Sequence, residues 1–297
     1  MGQPVHVVKV PRPERRLRIG RAPSHLGGPF HILRRILDSP MNPTAASDRW
    51  ITRPRPVPGA RLRLFCLPHA GGGASTFREW PRLLPDSIEV CSVQLPGRET
   101  RIRERPFVEL RPLVDALAEA LAPWLDRPFA FFGHSAGALI AFELDRTLRG
   151  SGEPGPEHLF LSARAAPQLP RTGPTTWDLP HAVLIEDLRK LGGTRDEVLA
   201  NDELMRPLLQ AVRADLAVTE RYIFPGGDPV DAPITALAGE DDPRAQPAEL
   251  EPWRRLTRGQ FRLHVLPGGH FFIQTEPVRV TRIVAQELVP EDVPTTS

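Results

Sequence analysis

Gly133-His134-Ser135-Ala136-Gly137 is a G-x-S-x-G, a pattern that can present a serine hydroxyl for nucleophilic attack on an acyl carbon. Its flanks give the short pattern meaning. Phe129 to Phe132 is an apolar aromatic run that predicts a buried strand. Ala136 to about Arg149 is rich in Ala and Leu, with no Pro or Gly after Gly137, and predicts a helix. A strand, a sharp turn and a helix would hold Ser135 in strained dihedrals at the apex, with small neighbours letting the two elements approach closely.

A serine hydroxyl is a weak nucleophile at neutral pH and needs an adjacent base, itself oriented by an acid. In this arrangement the chain order is Ser, acid, His. Of nine histidines, His6, His25 and His31 lie in the N-terminal segment, His158 and His264 in or beside predicted strands, and His181 in a helical insertion. His69 and His134 adjoin the expected site and suit a scaffold role. His270 alone combines the chain order, a strand-end position and flanking glycines, in Gly268-Gly269-His270. The acid is expected from Gly239-Glu240-Asp241-Asp242-Pro243. Asp242 is favoured by its depth in that loop, with Asp241 and then Glu240 as alternatives. An oxyanion would need two N–H donors. Ala136, after the nucleophile, supplies one, and Ala70 in Pro68-His69-Ala70-Gly71-Gly72-Gly73 suits the other.

These residues need elements to carry them. Predicted strands run Leu62 to Leu67, Ile88 to Leu95, Phe129 to Phe132, His158 to Ala163, Pro233 to Ala238 and Phe261 to Leu266. Helical patterns at Thr76 to Leu84, Leu110 to Leu125, Ala136 to Arg149, Ala248 to Leu256 and Val278 to Leu288 alternate with them. Such alternation predicts an α/β fold with a mainly parallel sheet flanked by helices. All the candidate residues would stand at the carboxyl ends of strands, where open parallel sheets hold their sites. Residues 165 to 230 break the alternation with helical pieces only, at His181 to Leu191, Arg195 to Leu199 and Glu203 to Tyr222. Inserted there, they are expected to form a lid over the site. Leu184, Leu188, Leu208, Leu209 and Val212 are candidates to shape a pocket, with mutual packing of the lid helices as the plainer role for most of them.

Composition bounds the rest. The chain has 297 residues, 40% hydrophobic and 25% charged, ordinary for a globular protein. No run is long and apolar enough for a membrane helix, and no signal-peptide pattern opens the chain. Cys66 and Cys91, each in a strand-like run, are expected to be free thiols in a reducing cytoplasm. The net charge of +2 gives no global field suited to nucleic acid. Residues 1–40 carry +6 with six prolines, leaving −4 for the remainder. Residues 1–46 are therefore read as a basic, Pro- and Arg-rich disordered extension, with translation from Met41 as a second possibility. Residues 47–290 are read as the folded domain, and 291–297 as a tail.

Several motifs occur together in order: Leu67-Pro68-His69-Ala70-Gly71-Gly72, Gln94-Leu95-Pro96-Gly97-Arg98-Glu99, the G-x-S-x-G, Gly192-Gly193-Thr194, Arg213-Ala214-Asp215 and Gly268-Gly269-His270-Phe271-Phe272. Over about Ser47 to Leu288 they resemble the type II thioesterases of polyketide and nonribosomal peptide biosynthesis. The basic extension is the main departure from that family. The resemblance implies an α/β-hydrolase fold with a helical lid. It also implies Ser135 as nucleophile, Asp242 as acid, His270 as base, and Ala70 and Ala136 as oxyanion donors. The implied activity is hydrolysis of acyl groups from the phosphopantetheine arm of acyl or peptidyl carrier proteins, with no metal or bound cofactor. A cytoplasmic monomer that binds neither nucleic acid nor membrane is expected. Arg98, Arg101, Arg103 and Arg105 could steer an acidic carrier, against a solvated arginine face as the plainer reading. A medium-chain acyl thioesterase or a carboxylesterase of the same fold is the alternative. A catalytically silent interaction protein is the remote one.

Overall fold

The structure, a computed structural model, describes residues 7–9, 49–171, 173–194 and 196–292. The central strands of its sheet are buried along their whole length because both faces are covered. In β3 (Leu62–Leu67), Leu62, Leu64 and Cys66 enter one apolar cluster, while Phe65 and Leu67 enter the cluster on the opposite face. In β5 (Phe129–His134), Phe129 and Phe131 alternate in the same way with Ala130 and Phe132. This period of two is what a pleated strand imposes. It also keeps Cys66 and Cys91, on neighbouring strands, in different clusters as free thiols.

The remaining strands are β1 (Val7–Lys9), β2 (Ile51–Thr52), β4 (Ile88–Val93), β6 (Leu159–Ser162), β7 (Ile234–Gly239) and β8 (Phe261–Leu266). They join into one eight-stranded sheet in the order β1-β8-β7-β6-β5-β3-β4-β2, parallel throughout except for β2 against β4. The chain runs outward from β3 to β4, then returns to place β5 on the other side of β3. The loops after β3 and β5 therefore part at a switch point, the place where such sheets open a crevice.

Helices α1 (Leu110–Leu121) and α2 (Ala136–Gly150) pack on one face through Leu113, Leu117, Leu139 and Phe142. The long C-terminal helix (Pro277–Leu288) covers the other with Val280, Ile283 and Val284. The insertion forms α3 (His181–Leu191), α4 (Asp196–Leu199) and α5 (Asp202–Glu220), with a small core of its own.

Some expectations differ in detail. Thr76 to Leu84 forms two short 3₁₀ turns, Ala74–Phe77 and Trp80–Arg82, instead of one helix. Pro81 has no N–H to close a helical bond and disfavours helical geometry at Trp80. Phe77, Trp80 and Leu84 are buried nonetheless, as the spacing predicts. The helix from Leu110 ends at Leu121, where Pro123 follows and a 3₁₀ turn carries Trp124. Two edge strands, Ile51–Thr52 and Val7–Lys9, are not anticipated from the sequence. At Val7–Lys9 the extension read as disordered is strand, paired with β8. Its residues 1–6 and 10–46 and the tail 293–297 lie outside the described residues.

Candidate active site

Ser135 sits between the last residue of β5 and the first of α2, with φ 56° and ψ −112°, a backbone strain held by its surroundings. Its N–H donates to the Ser162 carbonyl at 2.8 Å, which pins the turn to β6. The flanking glycines are required by contact. A Cβ at Gly133 would lie 2.2 Å from the Gly137 carbonyl oxygen, and one at Gly137 would lie 2.2 Å from that of Leu67.

His270 stands after β8 and Asp242 after β7, and the structure brings both to Ser135. His270 Nε2 is 3.0 Å from Ser135 Oγ, and His270 Nδ1 is 2.8 Å from Asp242 Oδ2. Asp242 has no exposed surface and His270 is 5% exposed. The second Asp242 oxygen accepts the Arg244 N–H at 2.8 Å, so the buried carboxylate is satisfied on both sides. Asp241 and Glu240 are exposed. The turn closed by Asp242 N–H on the Gly239 carbonyl selects among the three acids.

Among the other histidines, His134 is fully buried, and its Nδ1 is 2.9 Å from Ser162 Oγ. Burial first, then the nearby His270 and His69 rings, holds its pKa well below the ordinary histidine value. His69 packs edge-on against Phe271, with its pKa pushed down to about 3 by burial, then by His270 and Arg98. Both rings are therefore neutral; His69 lines the cleft beside Ser135, and His134 lies in the interior. His158 bonds Thr235 Oγ1 at 2.8 Å between β6 and β7, a structural role.

Ala70 and Ala136 line the same cleft as Ser135 and His270, a cavity of about 680 Å³. Ala136 N–H opens the N-terminus of α2, where the helix dipole favours negative charge. Gly71, beside Ala70, has φ 77°, and a Cβ there would be 2.3 Å from Val212 Cγ2 of the lid. The lid forms one wall of the cleft. Of the five lid residues expected to shape a pocket, Leu188 and Val212 line it, whereas Leu184 and Leu209 are buried in the lid core and Leu208 packs against it. Arg164, two residues past β6, lines the cleft as well, and no motif in the sequence singles it out. Trp253 Nε1 fixes its carbonyl at 2.8 Å.

The arginine steering face is corrected in part. Arg98 is 4% exposed and paired with Asp215, and Arg101 is 7% exposed, paired with Glu104 and set over the Trp50 ring. Their guanidinium groups close internal contacts. Only Arg103 and Arg105 of that set are exposed.

The family model described as "Thioesterase domain" matches residues 62–288. The chain belongs to this thioesterase family. The thioesterase is 42% identical over 241 residues to the gramicidin S biosynthesis protein GrsT of Aneurinibacillus migulanus, covering 81% of this chain and 94% of that protein. Among solved structures it is similar to RedJ, a thioesterase from the prodiginine biosynthetic pathway in Streptomyces coelicolor. That match has a TM-score of 0.74 and 41% identity, over 79% of this chain and 97% of the other. It is also similar to BorB, the type II thioesterase from the borrelidin biosynthetic cluster, with a TM-score of 0.75 and 39% identity, over 81% and 98% of the two chains. Among the described residues of this thioesterase, no helix is long and apolar enough to cross a membrane.

Proposed function

We propose that this thioesterase removes acyl groups from the phosphopantetheine arm of carrier proteins in polyketide or nonribosomal peptide synthesis, as an editing or release enzyme. The observation that carries the chemistry is the relay Asp242 Oδ2, His270, Ser135 Oγ, with links of 2.8 and 3.0 Å, opening on a lidded cleft. The biosynthetic settings of GrsT, RedJ and BorB support the carrier-bound thioester as substrate.

In the proposed reaction His270 Nε2 takes the Ser135 proton as Oγ attacks the thioester carbonyl. Asp242 holds the imidazole in its tautomer and offsets the charge that forms. The Ala70 and Ala136 N–H groups stabilise the tetrahedral oxyanion. Collapse breaks the C–S bond, His270 protonates the departing pantetheine thiolate, and an acyl ester on Ser135 remains. Water then attacks that ester with His270 as base, releasing the acid and restoring Ser135. Every step uses side chains and backbone of this chain, and phosphopantetheine arrives with the substrate.

The test is hydrolysis of an acylated carrier protein by the wild type and by Ser135→Ala. Loss of the nucleophile is expected to lower kcat by about 10⁶-fold with the fold intact. Turnover retained in that variant would contradict the proposal. Rates on matched oxygen esters and thioesters separate it from a carboxylesterase: a preference for the oxygen ester would favour the latter.

A further inference from the structure

Two sequence motifs take no part in the acyl-transfer steps, Gln94 to Glu99 and Arg213 to Asp215. The structure joins them on the loop that carries Ala70. Asp215 lies on α5 of the lid, 3% exposed. Its Oδ2 accepts the Gly71 N–H at 2.7 Å, and its Oδ1 accepts Arg98 Nη2 at 2.9 Å, with Arg98 Nη1 on Oδ2 completing a two-pronged buried pair. Arg98 Nη1 also donates to the Gly72 carbonyl at 3.3 Å, and its Nε and Nη2 donate to the Pro96 carbonyl.

The rest of the motif continues along the same loop. Gln94 accepts the Ala74 N–H at 2.9 Å and donates to the Arg98 carbonyl at 3.0 Å. Glu99 accepts the Ser75 N–H at 3.3 Å and its hydroxyl. A loop that would otherwise spend its polar groups on water is thus gripped by side chains from two distant segments. On the N-terminal side of Ala70 the loop closes on itself, the Gly72 N–H donating to the His69 carbonyl at 2.9 Å; on the C-terminal side the Gly71 N–H goes to a side chain, and that acceptor comes from the lid. Gly71 N–H and the Ala70 carbonyl share one peptide plane, so the bond to Asp215 fixes the backbone on the C-terminal side of Ala70.

We propose that Asp215 is a positioning residue for the oxyanion loop, with Arg98 setting its carboxylate, so that docking of the lid helix and aiming of the Ala70 N–H are one event. This rests on Ala70 being an oxyanion donor in the function proposed above. A buried charge pair is costly to desolvate, and an apolar pair of similar volume would serve packing alone as well or better. Holding a backbone N–H in place is work that an apolar pair cannot do.

The test uses the full chain with the double substitution Arg98→Met and Asp215→Leu, which leaves no buried charge behind. Turnover of an acyl-pantetheine thioester is read together with the affinity of an alkyl boronic acid, whose tetrahedral adduct on Ser135 places an oxygen in the oxyanion position. The expected result is a fall in kcat of about 10- to 100-fold, a KM within about threefold of wild type, and boronate affinity lost by the same factor as kcat. Asp215→Asn, whose amide oxygen can still accept from Gly71, is expected to lose only about 3- to 5-fold in both readouts. Wild-type kcat in the double variant, or a fall in kcat with boronate affinity unchanged, overturns the proposal. Should the double variant not fold, wild-type values of both readouts in Asp215→Asn overturn it. Ser135→Ala run alongside separates the two claims: if that variant turns over, the function itself is wrong, and if it is dead, only the positioning role is at stake.

Discussion

In the sheet, Phe132 belongs to an apolar cluster that reaches from Leu62 on β3 to Val289 beyond the last long helix, with Trp80, Phe77 and Phe160 against its ring. In the lid, Leu209 shares a core with Leu184, Leu199, Met205 and Val212, ringed by half-buried neighbours. The sheet carries Ser135, Asp242 and His270 on the ends of three strands, and its larger apolar cluster takes in only Val218 from the helices of the lid. The lid meets the body through Val218, which joins that cluster, and through polar contacts, Asp215 with Arg98 and Gly71, and Asp187 with Arg244. A small core and polar attachments are the features of a segment that opens at less than the global unfolding free energy. On the roles proposed above, the chemistry is built on the sheet and the alignment of the oxyanion loop on the lid.

That contrast can be broken at several strengths. The largest effect is expected on the sheet side of the site. Asp242→Asn should lower kcat by about 10⁴-fold by leaving His270 in the wrong tautomer, whereas Asp241→Asn should stay within about twofold. Steady-state rates on one thioester compare the two directly. Next is the sheet core: Phe132→Ala should cost about 3–5 kcal/mol and lower Tm by about 10 °C in a thermal melt. In the lid, Leu209→Ala should raise hydrogen exchange in α3 and α5 by at least about 30-fold while the Tm of the body changes little. A Tm loss equal to that of Phe132→Ala would mean that lid and sheet unfold as one unit.

The smallest effect concerns a second buried carboxyl on the sheet side. Asp145, on α2, has no exposed surface and neither oxygen has a hydrogen-bond partner, unlike Asp242. Burial first, opposed by Arg149 and aided by Asp231, pushes its pKa up to about 7. The folded state then holds a proton that the unfolded chain releases near pH 4, so stability falls as pH rises from about 4 through 7. Asp145→Leu should therefore stabilise the protein by about 1–3 kcal/mol at pH 8 and less at pH 5, read by denaturant melts at both values.

The comparison also marks what a sequence can disclose. The sheet was legible because strands buried on both faces write continuous apolar runs, and the ends of those runs located Ser135 and His270. Within the residues themselves only loop depth favours Asp242 over Asp241, beside what the family resemblance implies, since what separates them is a turn that buries one side chain and leaves its neighbour exposed. The lid helices were legible from their periodicity, but which of their leucines face the cleft depends on how they dock. The roles of Arg98 and Asp215 were hidden for a different reason. They are 117 residues apart, and no local pattern records a pair formed across that distance. Asp145 shares the helical spacing of Phe142 and Leu148, so its place on the buried face could be inferred, but its want of a partner could not.

The central claim is that Ser135 is the nucleophile of a hydrolase whose whole relay is assembled on the sheet. It is tested most directly by covalent labelling with a fluorophosphonate, followed by peptide mapping in a mass spectrometer. The account predicts one label per chain, on Ser135, with thioester hydrolysis lost in proportion to labelling and no label on Ser135→Ala. A fully labelled protein that keeps its activity, or a label that falls on another residue while activity is lost, would contradict it.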